Sequence, residues 1–191
     1  QERLEDHLLV GQPLRDDAGR DNGVRLLDLN NDGFLDVVIG NSKLQRTRLW
    51  NPESETWHES DFPIQIVHAD ADGLTQKAGV EFFIAQKDGN ASLLVRNEKR
   101  AGVWHFSNGK WVHDRSMLNG LTLDGQPIFT SRNGRDLGVR LRDLDNDGVC
   151  ELIAGNKPGQ VLSWDRDGET WKPLPFGLPP KTELVDANGK D

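Results

Sequence analysis

The chain has 191 residues, a formal charge of −8 and a single cysteine, Cys150. That length suits one sizeable domain or two small ones. Hydrophobic residues at 35% and charged residues at 28% describe a polar but foldable chain. The acidity excludes nucleic acid as a partner. No apolar run approaches the roughly 18 residues that would span a bilayer. One cysteine excludes intrachain disulfides, zinc-finger clusters and c-type haem attachment.

Taken in order, the chain reads as repeats. Residues 1–15 hold a weak helical signal in the first ten positions. They also hold Gly11-Gln12-Pro13, which matches Gly125-Gln126-Pro127, so this segment reads as the tail of a preceding unit. Unit one, 16–69, opens on Ala18-Gly19-Arg20-Asp21 and continues into Gly23–Asn41, GVRLLDLNNDGFLDVVIGN. VRLLDL and LDVVIG are apolar, β-branched runs bounded by Gly, Asn and Asp, and each predicts a strand. RTRLW and ETWHE alternate in polarity around the turn-forming Asn51-Pro52-Glu53-Ser54 and predict two more.

Unit two, 70–131, overlies the first without a gap: Gly79–Asn97 reads GVEFFIAQKDGNASLLVRN. Its strands are predicted at VEFFIA, ASLLVR, VWHF and KWVH, with Asn108-Gly109 as the turn of the last hairpin and a helical turn near Ser116–Leu121. Unit three, 132–185, repeats the opening signature as Asn133-Gly134-Arg135-Asp136 and the stretch as Gly138–Asn156, GVRLRDLDNDGVCELIAGN. Residues 186–191 match the signature once more, as Asn188-Gly189-Lys190-Asp191, and read as the start of a fourth unit. All six tryptophans fall in three pairs of one spacing: Trp50 and Trp57, Trp104 and Trp111, Trp164 and Trp171. Four short strands at this period predict an all-β protein. More narrowly, they predict a β-propeller fragment of about three four-stranded blades with part of a neighbouring blade. Because Gln1 opens the chain in mid-pattern, a piece of a longer polypeptide is expected.

Chemistry is concentrated in the loop between the first two strands of a unit. Asp28, Asn30, Asp32 and Asp36 fall at positions 1, 3, 5 and 9, with Gly33 after the third of them. Oxygen side chains at alternate positions around a glycine suit a hard cation such as Ca²⁺, because the backbone must curl around the ion. The backbone carbonyl of Phe34 would be the position-7 ligand. In the third unit the same places hold Asp143, Asp145, Asp147, Val149 through its carbonyl, and Glu151. Two Ca²⁺ sites are therefore expected, and two dications would offset half of the formal charge. The alternative is a pair of ordinary Asx-rich turns. These are not EF-hand loops: Ile39 and Ala154 stand where the bidentate Glu would be required. The equivalent places in the second unit are Ile84, Gln86, Asp88 and Ser92, a set too poor in carboxylates to hold a dication. With four carboxylates against three, the third loop is expected to bind more tightly than the first.

DLNNDGFLDVVIGN and DLDNDGVCELIAGN, each followed by paired tryptophans, resemble the FG-GAP/VCBS repeats of integrin α-like calcium-loop β-propellers. The likeness covers nearly the whole chain. More narrowly, NGRDLGVRLRDLDNDG and HADADGLTQKAG (His68–Gly79) are similar to propeller regions of large secreted planctomycete-type proteins. In such proteins the repeats often adjoin dehydrogenase-like and c-type haem domains. The absence of CxxCH means that no haem role carries over to this chain.

The resemblance implies a calcium-stabilised segment acting as a structural scaffold or a protein- or ligand-binding module of an extracytoplasmic protein. It implies no catalysis by this chain, and partners in the remaining blades of the same polypeptide or in other chains. One alternative is a sector of a sugar dehydrogenase-like, haem-linked enzyme whose catalytic residues lie elsewhere. Another is a carbohydrate-binding propeller, with the tryptophans stacking on glycans, although their fixed place in each unit favours packing. The ions are expected to be structural. The five histidines hold different places in the units, Cys150 reads as a small buried residue, and Arg25 and Arg140 read as channel-lining or, more commonly for arginine, salt-bridged.

Overall fold

The computed structural model describes residues 7–69, 74–155, 159–179, 182–186 and 188–190. Residues 1–6 of the N-terminal helical signal, 70–73 of His68–Gly79, Asn156 and Asp191 lie outside the described residues. Secondary structure is almost entirely antiparallel β. The chain forms two compact units, Gln1–Ala78 with Phe106–Trp111, and Gly79–His105 with Val112–Asp191.

In the first unit, β1 (Val24–Leu27), β2 (Asp36–Gly40), β3 (Gln45–Asn51) and β4 (Thr56–Asp61) pair in chain order as a meander. Every residue of β2 is buried, which explains why DVVIG is continuously apolar after its aspartate rather than alternating. Val24, Val37 and Ile39 pack with Leu9, and Trp57 closes against them. The β3–β4 turn is an Asx turn: Asn51 Oδ1 accepts the N–H groups of Glu53 and Ser54 at 2.9 and 3.1 Å. A short hairpin of β5 (Val67–Ala69) and β6 (Thr75–Lys77) follows, which the sequence pattern does not announce. Trp111 packs edge-on to Phe62 and Phe106, and its indole N–H donates to Thr47 Oγ1 at 2.9 Å.

Two further meanders follow, the earlier of which contributes Phe106–Trp111 to the first unit. One is β7 (Glu81–Ile84), β8 (Ala91–Arg96), β9 (Ala101–Ser107) and β10 (Lys110–Asp114), ordered as in the chain. Asn108 and Gly109 take φ of 50° and 75°, the left-handed pair that an Asn-Gly hairpin turn requires. A 3₁₀ turn, Ser116–Leu118, stands where a helical turn is expected. Two small hairpins come next, β11 (Thr122–Leu123) with β12 (Gln126–Pro127), and β13 (Ser131–Arg132) with β14 (Arg135–Asp136). The last meander is β15 (Val139–Arg142), β16 (Glu151–Ala154), β17 (Gln160–Asp165) and β18 (Thr170–Gly177). Phe83, Leu94, Val103, Met117, Leu141, Leu152, Leu162 and Trp171 share its core.

The first two strands of each meander pair in one register. Val24 faces Ile39 and Arg25 faces Val38; Val139 faces Ala154 and Arg140 faces Ile153; Glu81 faces Leu94. These are the partners that superposing the three Gly-Val stretches demands. Since a slip of one residue would turn every apolar side chain to the wrong face, the shared pattern fixes a shared register. It also fixes the acidic loop at the same end of the first hairpin.

Candidate metal centre

The loops joining β1 to β2 and β15 to β16 are laced by matching hydrogen bonds. Asp28 Oδ2 accepts the N–H of Gly33 at 2.9 Å, and Asp143 Oδ2 accepts that of Gly148 at 2.9 Å. Their Oδ1 atoms accept from Asp32 N and Asp147 N at 3.2 and 3.1 Å. Asp32 and Asp147 in turn accept from Phe34 N and Val149 N, both at 2.9 Å. Asn31 and Asn146 are left-handed at φ 58° and 62°, and Gly33 and Gly148 at 86° and 88°. A side chain at Gly33 or Gly148 would meet no other atom within 4 Å. Glycine is needed there for the backbone angle, not for space.

The position-9 carboxylates close the loops from the sheet side. Asp36 is wholly buried; its Oδ2 accepts Leu29 N at 2.9 Å and its Oδ1 accepts Trp50 N at 2.8 Å. Glu151, 5% exposed, accepts Leu144 N at 2.8 Å. Burial raises the pKa of both carboxyls above the ordinary range despite these hydrogen bonds. Asp32 and Asp28 push Asp36 further up, and Asp145 and Asp147 do the same to Glu151. A cation among these oxygens would reverse the push.

In the third loop, ligand atoms of Asp143, Asp145 and Glu151 lie within 4.8 Å of one another. This is the one such group of three among the described residues. Asp147 is not part of that trio. Its Oδ2 sits 4.0 Å from Lys87 Nζ, a cation supplied by the degenerate second loop. In the first loop Asn30 replaces Asp145. Its amide donates to Asp32 Oδ2 at 2.8 Å, while its own Oδ1 is shut off from solvent and accepts no hydrogen bond. A buried carbonyl oxygen without a donor costs about 1–3 kcal/mol, and an oxygen-seeking cation would remove that cost. The donors in both loops are oxygens, the chemistry that a hard cation takes, and the carbonyls of Phe34 and Val149 are the remaining ligands expected from sequence.

The second loop follows different chemistry. Ile84 O accepts Cys150 N at 2.8 Å, so the first ligand place of this loop ties to the neighbouring strand. Asp88 turns inward on its own loop, accepting Asn90 N and Nδ2 at 3.0 and 2.9 Å. Ser92, at the closing-ligand place, instead bonds His105 Nδ1 at 2.8 Å, and His105 Nε2 lies 3.1 Å from Asp114 Oδ2. The order Ser–His–Asp resembles a nucleophilic relay, but Ser92 is 1% exposed and its oxygen faces no solvent. No sequence spacing signals this chain; Ser92 and His105 meet because they are direct partners across β8 and β9.

Arg25 pairs with Asp21 at 2.7 Å and Arg140 with Asp136 at 2.9 Å, each with the aspartate four residues earlier. Trp50 and Trp57 face one another across β3 and β4, 5.0 Å between ring centroids, as do Trp164 and Trp171 at 5.6 Å. Of the six, only Trp171 is fully buried; the others are half-buried, and Trp104 stacks on His113. Burial raises the Cys150 thiol above its ordinary pKa, which disfavours the thiolate.

No protein-family model, curated protein or solved structure matches the chain. No helix among the described residues is long and apolar enough to cross a membrane.

Proposed function

We propose that the chain is a calcium-binding β-propeller segment, its meanders serving as blades, that acts as a scaffold or binding module of a larger extracytoplasmic protein. The observation that carries this reading is the pair of loops with matching oxygen sets and hydrogen bonds, one of which holds the donorless buried oxygen of Asn30. Each ion would tie the ends of two strands and neutralise carboxylates that otherwise repel. The loop residues' own part is to hold oxygens in place.

Calorimetric titration of the EDTA-treated protein with Ca²⁺ tests the reading. Two binding events and a raised melting temperature are expected; absence of both would sink it. The same reading expects the chain to complete its ring with further blades or other chains. Light scattering that finds a stable, isolated 21.4 kDa particle would count against that part.

A further inference from the structure

We propose that a cavity in the second unit, lined from the β11–β12 hairpin, β13, β15 and β16, binds a small carboxylate with an apolar body. Its volume is about 380 Å³, within the range of small-molecule sites. Ile128, Val139 and Ala154 form buried apolar walls, and half-buried Leu137 extends them.

At the rim the guanidinium of Arg132 lies over the Phe129 ring, 4.6 Å from its centroid. Stacking fixes the guanidinium plane and leaves its N–H edge available, which is the geometry that takes a carboxylate through two parallel hydrogen bonds. Arg132 is exposed and pairs with no acid among the described residues. The carboxylate four positions on, Asp136, is already taken by Arg140. Arg96 lies over the same ring at 5.7 Å, but its Nη1 is committed to Leu121 O at 2.9 Å. One ring therefore carries two cations beside an apolar cavity, and one of them has an open hydrogen-bonding edge. An anionic head at Arg132 and an apolar tail in the cavity satisfy both. This site shares no residue with the acidic loops and does not depend on calcium.

The test is calorimetric titration of the full chain with 3-phenylpropionate, and with 3-phenylpropionamide as the uncharged control. Wild-type protein should bind the acid with a dissociation constant of about 1 mM or lower and at least ~10-fold more tightly than the amide. Arg132→Gln should remove that preference. Arg132→Glu should reverse it towards 3-phenylpropylamine. Because Arg132 is exposed, both variants should keep the wild-type denaturation midpoint, which separates lost binding from lost fold. Equal affinity for acid and amide, an unchanged preference in Arg132→Gln, or no binding of the acid by the wild type would each overturn the proposal.

Discussion

Asp36 Oδ2 accepts the backbone N–H of Leu29 at 2.9 Å from a fully buried position, closing the first acidic loop against its own sheet. The same carboxylate takes Trp50 N through its other oxygen. One side chain therefore joins the loop, the inner hairpin and the third strand. Asp36→Ala strands two backbone donors and should cost about 2–4 kcal/mol in urea denaturation, even with EDTA present. A loss seen only with Ca²⁺ present would mean that Asp36 acts through the ion alone.

Asp36 and Glu151 contribute to the stability of the metal-free protein with a pH dependence opposite to that of an ion-paired carboxylate. Both carboxyls bind their protons more tightly in the folded chain than in the unfolded one. Folding thus takes up protons between the ordinary values of 3.8 and 4.5 and the raised folded values, and stability from these groups falls as pH rises through that window. In EDTA, the urea midpoint of wild-type protein should therefore rise relative to that of an Asp36→Asn, Glu151→Gln variant as pH falls through that window. With saturating Ca²⁺ the rise should vanish or invert, because the ion favours the ionised form. Parallel pH profiles with and without Ca²⁺ would refute this.

The two loops should differ in affinity through one residue. Asp145→Asn gives the third loop the first loop's carboxylate count, and Asn30→Asp does the converse. Calorimetry should show the first change weakening Ca²⁺ binding, the second tightening it, and the two sites drawing together. Asp147 complicates a simple carboxylate count, since it leans towards Lys87. Lys87→Ala should accordingly tighten the third site, and an unchanged affinity would show that Lys87 does not compete with the ion.

Ser92, His105 and Asp114 should behave as one buried network. His105→Ala leaves the Ser92 hydroxyl enclosed without its partner and should cost about 2 kcal/mol. Ser92→Ala should cost less, and the double variant less than the sum, with a coupling of about 1 kcal/mol. Strict additivity in denaturation midpoints would show that the contact contributes nothing.

Two glycines separate backbone angle from space. Gly33→Ala meets open surroundings and should cost about 1–2 kcal/mol through its φ of 86° alone. At Gly23, φ is 68° and an added Cβ would lie 2.5 Å from Gly40 O, inside the first hairpin. Gly23→Ala should therefore cost more than 3 kcal/mol, or about twice the other. Equal melting temperatures for the two variants would contradict the packing described.

Residue type and spacing specify the all-β class, the four short strands of each unit and the spacing of the acidic side chains. All of these are local. Strand periodicity sets which face each residue takes, and turn residues set where the chain reverses. Tertiary structure decided what those faces meet. Asp147 lies outside the trio of Asp143, Asp145 and Glu151, 4.0 Å from Lys87 of another loop. Ser92 finds His105 only when β8 and β9 pair, and of the six tryptophans Trp171 alone is fully buried, within the core of its unit. The Arg132–Phe129 stack and its cavity depend on two small hairpins whose two-residue strands carry no readable period. Hydrogen bonds and packing between residues distant in sequence depend on ångström-scale placement, and residue type and spacing do not encode that placement one stretch at a time.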